Sequence, residues 1–253
     1  MKWFLILLLM TNAFFFCGLP ANFKNLCKIY PPSINSLLKT ENFNLYRQLL
    51  MVSYEELDDK WLEDKKEGQT PTPFEYLFTI CSQDKRIEKL AIEAFNFFIH
   101  EPVSFLYDLK AICIGDLEEE IKKINSIHEL RLLKEEDYFD FQNLLRESLG
   151  EKTVKPPNLD ENPKIKRIKR LGRKRDKLAA KQHGLNFGDS LVAICCMGLG
   201  ITPLNIGEMS KSAIQAIMEM YQNREKYDID IRSLLAGASK KDVKIEYWIK
   251  NLE

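Results

Sequence analysis

Ten of the eighteen residues from Lys164 to Lys181 are Lys or Arg, and Asp176 is the only acid among them. A run this dense can neutralise phosphates, and each such contact releases counterions and weakens as salt rises. Its candidate anion-binding residues are Lys166, Arg167, Lys169, Arg170, Arg173, Lys174 and Arg175. No aromatic residue is interleaved to stack on bases. Instead Ile165, Ile168, Leu171 and Leu178 fall three, three and seven residues apart, the spacing of one narrow helical stripe. Two readings therefore stay open. One is contact with nucleic acid or an anionic surface; the other is an amphipathic helix whose basic face is solvated or docks on an acidic part of the same chain.

Other residue types that perform chemistry are not spaced for it. His100, His128 and His183 lie far apart without a neighbouring nucleophile motif, and G-x-S-x-G, the Walker A loop and the dinucleotide G-x-G-x-x-G are all missing. The carboxylates of "EELDDKWLEDKKE" and "LEEE" lack spaced histidines or an EF-hand glycine, so they read as solvated helix faces. Six cysteines, Cys17, Cys27, Cys81, Cys113, Cys195 and Cys196, sit in apolar surroundings with no C-x-x-C and no histidine at zinc spacing. They read as buried free thiols of a reducing compartment. The vicinal Cys195 and Cys196 could form a strained disulfide or bind a soft metal, but nothing else in the sequence asks for it. No catalytic residue, metal or cofactor is expected.

The segments that position these residues divide by charge. Residues 164–253 carry 18 Lys plus Arg against 10 Asp plus Glu, a net +8; the whole chain is neutral, so residues 1–163 carry −8. Between them "GEKTVKPPNLDENPK" breaks the hydrophobic periodicity with three prolines, the mark of a linker. The expected division is a leader or over-called start at 1–9, an acidic helix-rich module at 10–150, a proline-rich linker at 151–163 and a basic helical module at 164–253. The fold class is α+β, predominantly α-helical, with a small antiparallel sheet in the N-terminal module.

Along the first module, the aromatic run near Phe14 reads as a strand, followed by a Gly-Leu-Pro turn and a second strand ending at Pro31-Pro32. Ser33 caps a helix, Ser53 and Glu56 form a capping box, and Thr72 with Pro73 opens another helix. In "KRIEKLAIEAFNFFIH" the residues Ile87, Leu90, Ala91, Ala94, Phe95 and Phe98 share one stripe. "EPVSFLYDLKAICIGD" reads as a hairpin turning near Tyr107-Asp108, and a last helix is closed by Gly150. In the second module "NFGDSLVAICCMGLG" is apolar enough to demand burial. A long amphipathic helix follows, with Met209, Ala213, Ala216, Ile217, Met220 and Tyr221 on one face; "YDID" breaks it and a second helix runs to Gly237. Tyr247, Trp248 and Ile249 in the tail suit anchoring a partner.

The greasy start, "MKWFLILLLMTNAFFFCG", is shorter than the roughly 20 residues a membrane-spanning helix needs. A secretory signal fits its length but requires small residues where Phe14, Phe15 and Phe16 stand. A start at Met10 gives a soluble cytoplasmic protein, and secretion is the alternative.

The stretches "FFFCGLPANFKNLCKIYPPSINSLL", "PTPFEYLF", "AFNFFIHEPVSFLYDLKAICIGDL" and "YQNREKYDIDIRSLLAGASKKDVKIEYWIKNL" resemble small proteins encoded among the tail genes of tailed bacteriophages, the tail assembly chaperones in particular. That resemblance implies a non-enzymatic assembly factor whose partners are phage tail proteins, the tape measure or tube subunits. It implies a helical surface that coats an apolar partner and a downstream helical part like the one after the linker. No family residue carries over position by position. Nucleic-acid binding through 164–181 is the alternative.

Overall fold

In the computed structural model the described residues are 13–63, 70–117, 130–156, 164–165, 168–175, 187–239, 243 and 245. The fold is α+β and predominantly helical, with two small antiparallel sheets rather than one.

Residues 13–16 are helical, which corrects the expected aromatic strand. The cause is Gly18, which takes a left-handed φ of 73°. There the Leu19 amide reaches the Phe14 carbonyl at 2.8 Å, the closure by which glycine ends a helix. Phe15 is buried while Phe14 and Phe16 are exposed, as one helical turn lying on a core requires. The segment expected to hold the second strand forms the hairpin itself, β1 (Ala21–Phe23) and β2 (Cys27–Ile29), in antiparallel register Ala21↔Ile29.

Helix α1 (Ile34–Lys39) starts at Ser33, whose hydroxyl accepts the Ser36 amide at 3.2 Å. Helices α2 (Phe43–Leu50) and α3 (Tyr54–Glu63) follow. The Ser53 hydroxyl accepts the Glu56 amide and the Glu56 carboxylate accepts the Ser53 amide, the reciprocal box read from the sequence. In α4 (Pro73–Gln83) Thr72 and Glu75 repeat that arrangement, with Pro73 at the first position, where a missing N–H costs nothing.

One residue, Asp84, joins α4 to the central helix α5 (Lys85–Ile99) and caps it through the Arg86 amide at 2.8 Å. The expected stripe of α5 becomes the floor of the main core: Ala91, Ala94, Phe95, Phe98 and Ile99 are fully buried. Phe95 lies 5.6 Å from Phe141 in a stacked pair, and Phe23 meets the same Phe141 edge-on at 5.4 Å. His100 ends α5 in a left-handed conformation and stacks on Tyr30 at 4.2 Å.

The hairpin of β3 (Val103–Leu106) and β4 (Ala111–Ile114) turns at Tyr107–Leu109 and gains a third strand, β5 (Leu132–Leu133). Helix α6 (Glu135–Ser148) then crosses the core with Tyr138, Phe141 and Leu145 buried. Gly150, at φ 69°, closes it as expected.

After the basic segment come α7 (Phe187–Cys196) and α8 (Lys211–Leu235). Two expectations change here. Of α7 only Ile194 is buried, and Val192 is 64% exposed, because the helix rests one edge on a small second core with Ile34, Leu37, Ile206 and Ile214. Helix α8 runs unbroken for 25 residues through "YDID", since aspartates lower helix propensity without removing a donor or adding a clash, and only at Gly237 does the backbone turn left-handed.

The last segment docks on the first through backbone. Ser33 and Ser210 form an antiparallel bridge, the Ile34 amide donates to Met209 at 2.9 Å, and the Lys211 amide donates to Pro32 at 3.1 Å. Ser210 and Ser212 both donate their hydroxyls to the Phe15 carbonyl, at 2.8 and 2.9 Å. Cys27, Cys81 and Cys113 are buried as expected; Cys17 and Cys196 are exposed, and all six thiols are free. Burial pushes the Cys27 and Cys81 thiols up to about 12, which makes them inert.

Candidate protein-interaction surface

The basic segment is helical over 168–175. Its seat is α3, where Glu55 and Asp59 are one turn apart on a single face. Arg173 clamps Asp59 with Nη2 2.8 Å from Oδ1 and Nε 3.2 Å from Oδ2, and reaches Glu55 with Nη1 at 2.9 Å. Such planar, two-pronged pairing is the strong form of a charge-assisted bond. The hydrogen bond to Asp59 raises the Arg173 pKa above its ordinary value. Arg170 adds a bond to the Asp59 carbonyl at 3.3 Å.

The docking anticipated between the basic face and an acidic part of the chain is therefore present. Arginines hold the helix down, and the apolar stripe of Ile165, Ile168 and Leu171 is turned outward, with Ile168 69% exposed. Of the candidate anion-binding residues, Arg170 and Arg173 are half-buried against α3, whereas Lys169, Lys174 and Arg175 are exposed. Lys166 and Arg167 lie outside the described residues, as do the anchoring candidates Tyr247, Trp248 and Ile249.

Beside this helix a groove of about 750 Å3 opens between the starts of α3 and α4 and one side of α6. Phe74, Tyr138 and Phe139 form its apolar wall. The opposite lip is residues 154–156, an extended strap that Asn143 holds as a strand would: its Nδ2 donates to the Val154 carbonyl at 3.1 Å and its Oδ1 accepts the Val154 amide at 2.9 Å. Beneath it Gln142 donates to the carbonyls of Leu50 and Val52, at 2.7 and 3.1 Å, and Arg146 donates to Met51, so the turn between α2 and α3 is fixed to α6. The groove can take an apolar side chain at the edge of the arginine-pinned helix. Only the capping boxes signalled this in the sequence; the Asn143 clasp joins residues eleven apart across a helix end and has no local pattern.

A second electrostatic knot locks α8 in place. Glu151 receives Arg47 at 2.9 Å and Lys211 at 3.1 Å. Burial alone would push its carboxyl up, but Arg47 and Lys211 outweigh that and hold it below the usual range.

Among the described residues no group of three metal-type side chains converges, and no helix is long and apolar enough to cross a membrane. His100 is occupied in its cap and stack; His128 and His183 lie outside the described residues.

Residues 177–253 match the family of the YomV second domain, which derives from a Bacillus prophage. No curated protein and no solved structure matches the chain. The matched segment holds α7 and α8, so the part of the chain that docks through Ser210 and Ser212 is similar to a phage-derived domain.

Proposed function

We propose that this protein is a non-enzymatic phage assembly factor that binds an apolar helical segment of a tail protein, the tape measure or a tube subunit. The observation that carries the reading is the outward-turned stripe Ile165, Ile168 and Leu171, mounted on a helix that arginines rather than apolar packing hold in place. An apolar stripe kept at the surface at the cost of its own hydration has a use when a partner covers it. Val192 and Phe187 on α7 add exposed apolar area in the segment that is similar to a phage-derived domain.

The nucleic-acid alternative loses ground because Arg170 and Arg173 are spent on Asp59 and Glu55. A tagged chain recovered from phage-producing cells and washed at rising salt separates the two. A tail protein retained through high salt supports the assembly reading, and nucleic acid alone, released as salt rises, sinks it.

A further inference from the structure

No side chain of α8 beyond Ile214 is buried, and of the last 21 residues of the helix, roughly 30 Å, the half-buried Met218 still packs on the second core while the rest run on past it. A helix in water draws most of its stability from packing an amphipathic face. The stretch carries such a face: Ile217, Met220, Arg224, Tyr227, Ile231 and Leu234 alternate at spacings of three and four, the a and d positions of a coiled-coil repeat. Five are half-buried and Arg224 is exposed. Arg224 and Asp228 stand one turn apart, yet neither makes an ion pair or side-chain hydrogen bond among the described residues.

We infer that this face pairs with a second copy of the chain in antiparallel orientation. The charges choose the orientation. In a parallel pair each a position meets its own copy, which would set Arg224 against Arg224. In an antiparallel pair a meets d, and one register matches all six positions: Ile217 with Leu234, Met220 with Ile231, and Arg224 with Tyr227 of the other copy. Arg224 then lies over a tyrosine ring, a favourable place for a guanidinium, with the other copy's Asp228 beside it. Because the pairing is twofold, every contact occurs twice and the interface closes at two copies. The inference stands apart from the proposed function, since it concerns a different helix and needs no phage partner.

The test is light scattering coupled to size exclusion on the full chain at about 50 μM, with circular dichroism to confirm that each variant keeps its helix. The expected mass is a dimer. Arg224→Asp and Asp228→Arg each weaken association about tenfold or more, and the double exchange recovers it, because the pair is rebuilt between copies. For orientation, Met220→Cys combined with Ile231→Cys, in a chain whose exposed Cys17 and Cys196 are replaced by Ser, yields a covalent dimer on oxidation, while Ile231→Cys alone does not. A monomer at that concentration, a dimer indifferent to these exchanges, or Ile231→Cys linking to itself would each overturn the inference.

Discussion

Arg173 grips Asp59 with two parallel bonds of 2.8 and 3.2 Å, and that grip turns the hydrophobic stripe of its own helix away from the protein. Asp59→Asn removes the charge that receives both prongs. We expect amides of 168–175 to exchange with solvent at least tenfold faster by hydrogen–deuterium exchange, while global stability falls by no more than about 1–2 kcal/mol, because the pair is partly solvated. Unchanged protection over 168–175 would mean that something other than Arg173 seats the helix.

At the end of α6, Gly150 meets the start of α8 backbone to backbone. A Cβ there would lie 2.8 Å from Gln215 Cβ and 3.0 Å from Ser212 Cα, and the residue's φ is 69°. Gly150→Ala therefore adds a clash to a strained backbone. It should cost about 1–3 kcal/mol and lower the melting temperature by roughly 2–10 °C in a chain of this size. A melting temperature within a degree of the parent would show that the two helices separate at no cost.

Ser210 does two jobs with one hydroxyl. It accepts the Ala213 amide at 3.1 Å to cap α8 and donates to the Phe15 carbonyl at 2.8 Å. Ser210→Ala should cost about 1–2 kcal/mol, read by denaturant unfolding, with the first turn of α8 losing exchange protection first.

Glu147 gives the protein a pH dependence of its own. Burial pushes its carboxyl up to about 7, and its Oε2 has no hydrogen-bond partner among the described residues. The folded state thus holds this proton more tightly than the unfolded chain, whose carboxyl has the ordinary value of 4.5. Its contribution to stability is complete below 4.5 and is lost as pH rises through about 7. Glu147→Gln should exceed the parent in stability by about 1–2 kcal/mol at pH 8, after allowance for partial solvation, and match it near pH 4.5. A constant difference across that range would place the effect elsewhere.

Local rules made much of this fold legible. Ser33, Ser53, Thr72 and Gly150 do at the helix ends what their side chains and spacing imply, and the stripe of α5 from Ala91 to Phe98 faces the core. What escaped was decided by long-range competition. Phe14 to Phe16 has the composition of a strand, but Gly18 ends it as a helix. The apolar run of α7 reads as interior, yet along that helix only Ile194 is fully buried in the second core, with Leu191 and Cys195 half-buried against it. The basic helix was readable as an amphipath whose basic face could dock on an acidic part of the chain, but not the place: that depended on Glu55 and Asp59, more than a hundred residues away.

The most direct measurement of the central claim compares the intact chain with an Ile168→Asp, Leu171→Asp variant, both tagged and recovered from phage-producing cells at about 1 M salt, where exposed charges are screened beyond roughly 3 Å. The proposed function predicts that the intact chain retains a helical phage tail protein and that the variant, equally folded and still pinned through Arg173, loses it. Equal retention by both, or recovery of nucleic acid that disappears at this salt with no tail protein present, would contradict it.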